Sequence, residues 1–498
     1  MAFENSQAFN IESKKMVSTE QFESSCRLEV SADKPIKKVV SVYALPKIVS
    51  NEKIAENVAF SGKTSYQVIY ETEEGNLVSA LSDVEWNENI TNIAYNTIFL
   101  NVKAQENTIT GVSNTEIMIS TLLNVEVFAI VSESVASVKE LSDDYVKEEK
   151  TYEYERVVNT INESFNEVVE QEISNKVDEL LYYTGNVKLK NVIAGIDTVT
   201  FEGEANIVVN LVENGSLISV NKVIDIKQEV AALSVVPNCL VDASLNLTGL
   251  KVTASVSEID QKTNLIFAIE VGVNAVIYSK ETMAVVEDAF SVKQETNVNS
   301  ECVLKENYEG EGYYFDNINA SFHADKEVYE LSFVSNAKAH ITDIKSEEKG
   351  VIVSGGVEVN LVALNEIKEN ILVAGFIPYS INVPEASLND KFEIEVDIKS
   401  FKLRGQNDIE ITAELFVVYK KYQDEYITFI NNIEETEERE QSNAAIRVYI
   451  VKDGEGLFDV AKTLCVKPED ILAQNPIVQD GLVGGMRLIV YSSLNVNF

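Results

Sequence analysis

Short runs of alternating apolar and polar residues make up most of the chain. The runs are rich in Val, Ile, Thr, Tyr and Phe, and they are separated by Asn, Gly, Asp and Ser. Alternation with a period of two is typical of a strand with one buried face, and β-branched and aromatic residues favour strands. Glycine with acidic or amide residues follows two of the runs, at 71–76 and 212–216, and predicts chain reversals there. The pattern therefore predicts a mainly β protein built of antiparallel sandwiches or barrels.

The alternating runs recur, which indicates an internal repeat. FSGKTSYQVIY from Phe60, FEGEANIVVNL from Phe201 and VSGGVEVNLVA from Val353 each carry a glycine at the third position. A second matching pair, FNIESKKMVSTEQFESSCRLEVS and YEYERVVNTINESFNEVVEQEIS, keeps nearly the same offset. A repeat of this length predicts three copies of one domain, over 1–145, 146–286 and 287–432. A late strand is expected to close each copy, ending at Ile130, Tyr278 and Tyr419.

We call the three recurring glycines, Gly62, Gly203 and Gly355, the anchor glycines. A glycine inside a strand lets a ligand approach the backbone closely, or it marks a bulge or a tight barrel corner. Because the glycine recurs in three copies, we favour the architectural role.

Two segments depart from the strand pattern. Over 164–181, Ser164 and Glu167 fit a capping box and apolar residues keep helical spacing, so a helix is predicted there. The matching segment of the first copy nevertheless has a strand-like pattern. The stretch GEGYYFDN from Gly310 lacks the carboxylate spacing of an EF-hand. We expect it to be a solvated loop that holds one buried tyrosine.

The pattern changes near the end of the chain. A short strand at 448–451 precedes four apolar residues on one helix face, Leu457, Val460, Ala461 and Leu464. Pro468 suits the first turn of a second helix, and the pair Asn475-Pro476 ends it. A last strand follows at 488–491. We therefore expect a small α+β domain of order βααβ over 447–495, after an acidic, solvated linker over 433–446.

Charge separates the end domain from the rest. The formal net charge is -39, from 80 acidic and 41 basic residues. The segment from Arg447 holds five basic and six acidic residues, so it carries -1 and the preceding chain carries -38. Such an acidic surface repels nucleic acid and anionic membranes. With no signal-like N-terminal segment and no long apolar stretch, we expect a cytoplasmic protein without direct membrane insertion.

The chain carries no motif of a catalytic or metal centre. Cys26, Cys239, Cys302 and Cys465 lie far apart, and we expect buried free thiols. Two histidines, His323 and His340, are too few for a multi-histidine metal site. Nucleophile-elbow, zinc-protease, phosphate-loop and dinucleotide motifs are all missing. The sequence predicts a non-enzymatic protein without metal or cofactor.

The repeats and the end domain each resemble a known family. KPIKKVVSVYALPKI followed by VAFSGKTSYQVIY resembles the SPOCS domain of spore-coat morphogenesis proteins of Firmicutes. The end domain resembles LysM domains at Tyr449, Gly454, Leu457, Ala461, Ile471, Asn475, Pro476 and Gly485. SPOCS-like repeats followed by LysM are the arrangement of the SipL-type coat-assembly family.

This resemblance implies a scaffold in the mother-cell cytoplasm, at the forespore surface, that binds other coat proteins. It also implies that the LysM domain docks on a coat ATPase of the SpoIVA type. The implied binding loops hold Gly454, Glu455, Gly456 and Leu457, then Val483, Gly484, Gly485 and Met486, with Asn475 and Pro476 nearby.

LysM domains usually bind glycans that contain N-acetylglucosamine. Here Gly456 replaces a usual threonine and Met486 a usual glutamine, so two polar groups are lost. The losses favour a protein partner. A cell-wall protein that binds peptidoglycan stays the alternative.

Overall fold

The computed structural model describes residues 3–174, 176–213, 215–257, 262–405, 407–439 and 446–491, with side chains except at 3–6 and 479–480. Within these ranges the protein is mainly β, as the alternating pattern predicts, with twenty strands, two short α-helices and one 3-10 helix. None of the described helices is long and apolar enough to cross a lipid bilayer.

Eighteen of the strands form three successive units of six. The first unit contains β1 Phe3–Glu29, β2 Ile36–Ile54, β3 Asn57–Thr72, β4 Leu77–Ile90, β5 Ile98–Ser113 and β6 Glu116–Leu141. The second contains β7 Tyr145–Ile173, β8 Glu179–Ala194, β9 Thr198–Glu213, β10 Ser216–Ala231, β11 Leu240–Val256 and β12 Thr263–Ser291. The third contains β13 Gln294–His323, β14 Glu330–Glu347, β15 Gly350–Leu364, β16 Asn370–Val383, β17 Lys391–Arg404 and β18 Asp408–Glu438.

Each unit has the same topology. Its second, third and fourth strands form one antiparallel sheet, in the orders β2-β3-β4, β8-β9-β10 and β14-β15-β16. Its first, sixth and fifth strands form another, in the orders β1-β6-β5, β7-β12-β11 and β13-β18-β17. Apolar side chains of both sheets meet in a core, which in the second unit includes Phe201 and Phe267.

The anchor glycines all lie at the same place in this topology. A register shift in the neighbouring strand stands directly opposite each of them, at Ile48/Ser50, Leu189/Asn191 and Ile341/Asp343. The predicted association of the anchor glycines with bulges is therefore confirmed.

The sixth strand of each unit is longer than the sheet to which it belongs. The fifth strand stops pairing with it at Ala129 in β6, Tyr278 in β12 and Lys420 in β18. Beyond these points the first and sixth strands continue as a two-stranded ribbon. The predicted ends at Ile130, Tyr278 and Tyr419 are therefore wrong for the strands, but they mark where each ribbon starts.

The three ribbons pack together around a shared core. Its residues come from all three units: Phe9, Ile11, Val135, Tyr152, Tyr154, Met283, Val285, Val303, Ile427 and Phe429. The three units thus form one body with a common apolar centre, because none of the ribbons could bury this face alone.

The predicted helix over 164–181 is wrong, because β7 continues to Ile173 and pairs with β12 along its length. Phe165, Val169 and Ile173 pack on the core of the second unit. They are four residues apart, and an even spacing also keeps them on one face of a strand. The stretch from Gly310 is likewise strand, inside β13, and Tyr313 stacks on Phe416 at 5.9 Å.

The domain boundaries shift with these strands. β12 continues past the predicted boundary at 286 to Ser291. The predicted linker 433–446 is corrected at its start, since β18 includes 433–438 and Ile433 is buried. Residues 440–445 lie outside the described ranges. The expectation of buried thiols holds for Cys26 and Cys239, whereas Cys302 is exposed and Cys465 is half-buried.

The end domain, which we call the tail, has the predicted order βααβ. It contains β19 Ile446–Ile450, α1 Leu457–Leu464, α2 Pro468–Gln474, the 3-10 helix Pro476–Asp480 and β20 Arg487–Tyr491. β19 and β20 pair antiparallel. Both α-helices contribute to one small core with Leu488 and Val490. The predicted residues 492–495 lie outside the described ranges.

Candidate docking site

The structure brings the two predicted loops of the tail together. The amide of Gly485 donates to the carbonyl of Val451 at 2.8 Å, and the amide of Val451 donates to the carbonyl of Met486 at 2.9 Å. Gly484 lies against Asp453, whose Oδ1 would be 1.8 Å from a Cβ at position 484. A side chain at position 484 would require the side chain of Asp453 to move aside, and the two backbone hydrogen bonds hold the loops side by side.

The polar groups of the first loop are used inside the tail. The carboxylate of Glu455 accepts hydrogen bonds from the amide of Lys452 and the hydroxyl of Tyr449, both at 2.8 Å. The amide of Lys452, with the Tyr449 hydroxyl, holds the pKa of Glu455 below its ordinary value. The amide of Gly456 donates to Asp459 at 2.8 Å and begins α1. Gly454 and Gly485 have φ of 84° and 85°, which other residues rarely adopt.

The apolar side chains of the loops are partly turned inward. Leu457 and Met486 are half-buried and pack against the core of the tail. Val483 is 67% exposed, so it is the larger apolar surface that the second loop presents. Sequence reasoning placed Val483 in this loop but assigned the apolar contact to Met486.

Asn475 joins elements of the tail and does not reach the loops. Its Nδ2 donates to the carbonyls of Ile471 at 3.0 Å and Ile489 at 2.8 Å. Its Oδ1 accepts from the amide of Ile489 at 2.8 Å. The side chain is buried and ties α2 to β20, which is a structural role, and its part in binding stays a prediction. Pro476 is exposed and begins the 3-10 helix.

The outer face of the β19–β20 sheet is apolar and exposed. We call this surface the outer face, and its members are Ile446, Val448, Ile450, Ile489 and Tyr491. They pair across the strands, Ile446 with Tyr491 and Val448 with Ile489, while Arg487 stands opposite Ile450. Each is between 40% and 64% exposed. Sequence reasoning missed this face, although the alternation in IRVYI places apolar residues at every second position.

The helical side of the tail contacts the rest of the protein. The rings of Phe458 in α1 and Phe290 in β12 are 5.5 Å apart, edge to face. Lys462 in α1 forms an ion pair with Asp288 in β12. Burial, followed by the charges of Asp459 and Asp288, raises the pKa of Glu148 in β7. The outer face lies on the other side of the sheet from these helices, so this contact does not cover it.

The described residues hold no group of three or more His, Cys, Asp or Glu side chains arranged to bind a metal ion. His323 pairs with Asp408 at 2.8 Å on the surface, and His340 packs near Phe376. Comparisons with protein-family models, with curated proteins and with solved structures find no match to this chain.

Proposed function

We propose that the protein is a non-enzymatic scaffold of spore-coat assembly in the mother-cell cytoplasm, and that its tail is a LysM-type domain that docks on a coat ATPase of the SpoIVA type at the forespore surface. The outer face of the tail is the observation that carries this proposal. The sequence resemblance to SPOCS and LysM domains supplies the identity of the partner, and three six-strand units followed by a βααβ tail are compatible with it.

The outer face suits a protein partner. Five apolar side chains on a two-stranded sheet form a contiguous exposed patch, which is the kind of surface that protein interfaces cover. Arg487 at its edge favours an acidic group on the partner. Self-association through this face is opposed by the net charge of -39 on each copy.

A glycan would use the loops instead of the outer face. Sugar recognition needs free polar side chains, and the Glu455 carboxylate and the Gly456 amide are already paired within the tail. The loops therefore offer few free polar groups for peptidoglycan. Binding of peptidoglycan through the loops would contradict our proposal.

The test measures binding of the purified full chain to the coat ATPase. Val448→Asp introduces a charge into the outer face, and we expect at least a tenfold loss of affinity. Ile196→Asp is the matched control, because Ile196 is 75% exposed in the second unit and should leave affinity unchanged. Thermal unfolding checks that both variants fold. Unchanged affinity of Val448→Asp, or pelleting with peptidoglycan that Val483→Asp, at an exposed residue of the second loop, abolishes, would overturn the proposal.

A further inference from the structure

A groove of about 460 Å³ lies between the second and third units. Its floor is the outer surface of the β8-β9-β10 sheet, and strands β14 and β17 of the third unit form its side. Tyr43 of the first unit and Phe401 of the third add aromatic rings. The volume falls in the range of about 300–1,000 Å³ that is usual for small-ligand sites.

The groove is lined by neutral polar groups. They are the amides of Asn186, Asn206, Asn210, Asn221 and Asn336 and the hydroxyls of Thr184, Ser219 and Ser335. Asp397 also lines it, but its carboxylate is bound by Lys188, by Asn186 at 2.8 Å and by Asn206 at 3.2 Å. Lys399 pairs with Glu414 at 3.2 Å. The charges of Asp397 and Lys399 are thus compensated within the protein, whereas Lys222, which also lines the groove, adds a positive charge.

Two buried polar atoms of the groove have no hydrogen-bond partner among the described residues. One is Nδ2 of Asn210, a residue that is 1% exposed and whose Oδ1 accepts from Ser219 at 2.6 Å. The other is Oδ1 of Asn186. A buried amide without a partner costs free energy, so each such atom calls for an explanation.

The internal repeat shows that the fold itself does not require this amide. Counted from the anchor glycines, position 210 corresponds to Ile69 in the first unit and Val362 in the third. Both are fully buried at 0% exposure. Both also occupy the same cross-strand place, since Ile69 pairs with Ser79, Asn210 with Ser219 and Val362 with Leu372. Only the second unit carries a polar side chain at this buried site.

We propose that the groove binds a neutral, hydroxyl-rich ligand, a short oligosaccharide. Asn210 Nδ2 needs an acceptor and Asn186 Oδ1 needs a donor, and a sugar hydroxyl serves as either. Asn206, paired with Asn186, is four residues from Asn210 on β9, so the two ends are about 13 Å apart and a ligand of more than one ring spans them.

A peptide strand suits the groove less well. Peptides commonly bind by adding a strand to a sheet edge through free backbone groups. The floor here is the face of a sheet, so it offers amide and hydroxyl side chains. This inference does not depend on the docking of the tail, because the groove and the outer face share no residue.

The test uses the purified full chain, with chitotetraose, cellotetraose and maltotetraose as probes and N-acetyl tetra-alanine amide, which is neutral, as the peptide arm. Saturation-transfer NMR detects binding, and calorimetry measures affinity. Asn210→Val introduces the residue found at this position in the third unit. We expect this variant to fold normally and to bind the sugar with at least tenfold lower affinity. Asn186→Leu copies Leu45, its counterpart in the first unit, and provides a second variant with the same expected loss.

Asn191→Val is the matched control, since Asn191 also lies on β8 but is exposed outside the groove. It should bind the sugar as the wild type does. Three results would overturn the inference: no binding of any of the three sugars at millimolar concentration, wild-type sugar affinity in well-folded Asn210→Val and Asn186→Leu, or binding of the tetrapeptide alone.

Discussion

The carboxylate of Asp242, on β11, forms a buried ion pair with the ammonium group of Lys420, on β18, and so joins the second unit to the third. Lys14 of the first unit approaches the same carboxylate at 3.4 Å. Burial by itself raises the pKa of Asp242, but Lys14 and Lys420 outweigh it and hold that pKa below its ordinary value. One side chain thus binds all three units at their centre.

Replacing Asp242 should destabilise the whole body. Asp242→Asn removes the shared ion-pair partner of two buried ammonium groups, and we expect a loss of about 3–5 kcal/mol in the free energy of unfolding at pH 7. The pKa of Asp242 is lower in the folded state than in the unfolded state. The stabilisation is therefore present at a pH above the unfolded-state pKa and is lost as the pH falls through the folded-state pKa. Urea denaturation at pH 7 measures the loss.

The control for this change is a surface pair. Asp83 binds Lys63 at 2.6 Å, and both side chains are substantially exposed. Asp83→Asn should cost less than about 1 kcal/mol. If Asp242→Asn costs no more than Asp83→Asn, the central pair does not hold the units together.

Glu395 should make the protein less stable at alkaline pH. Burial raises its pKa to about 7, and its Oε2 has no hydrogen-bond partner among the described residues. The folded state therefore holds the proton more tightly than the unfolded state. The resulting stabilisation is complete at a pH below the pKa of Glu395 in the unfolded state. It is lost as the pH rises through the folded-state pKa of about 7.

Glu395→Gln removes the charge, and we expect it to be more stable than the wild type at pH 8 by about 2–3 kcal/mol. Urea unfolding at pH 5 and pH 8 measures the difference. Glu74→Gln, on an exposed turn, serves as the control and should follow the wild type. A Glu395→Gln profile parallel to that of the wild type would contradict the prediction.

The anchor glycine of the second unit should not tolerate a methyl group. At Gly203 a Cβ would lie 2.3 Å from the carbonyl oxygen of Lys188, a backbone atom that cannot move aside cheaply. Gly203→Ala should lower the free energy of unfolding, measured by thermal or urea denaturation, by about 1–3 kcal/mol. At Gly111, also in a strand, the nearest atom would be 3.5 Å away, so Gly111→Ala should change stability by less than about 0.5 kcal/mol. Equal effects of the two would argue against close packing at Gly203.

The contact between the tail and the second unit can be removed from the side of the unit. Phe290→Ala with Asp288→Ala deletes the partners of Phe458 and Lys462. We expect the tail to separate, with a larger radius of gyration in X-ray scattering and faster tryptic cleavage after Arg439. Phe376→Ala, at an exposed phenylalanine of the third unit, is the control. Unchanged scattering and cleavage would show that other contacts suffice.

Alternation of apolar and polar residues identified the strands because it depends on local geometry, and the internal repeat identified the anchor glycines. The ribbons could not be predicted, since pairing such as that of Ile11 with Glu133 joins residues far apart in the chain. The false helix at 164–181 had the same origin: a spacing of four fits both a helix and a strand, and only pairing with β12 decides between them.

Within the tail, the glycines at 454 and 485 were found because a family pattern marks them. The outer face was missed because attention went to loops, although Ile446, Val448 and Ile450 alternate plainly with Arg447 and Tyr449. Nothing in the sequence alone says which of two apolar strand faces the helices will cover. The Nδ2 of Asn210, which has no hydrogen-bond partner among the residues that the structure describes, was equally out of reach, since this property depends on neighbours in space.

The first and last strands of every unit pair with each other, with Phe3 opposite Leu141, Tyr145 opposite Ser291 and Gln294 opposite Glu438. Each unit therefore starts and finishes at one spot, and the chain passes to the next unit after only a few residues. A gene segment that encodes such a unit can be duplicated in tandem without any long new connection.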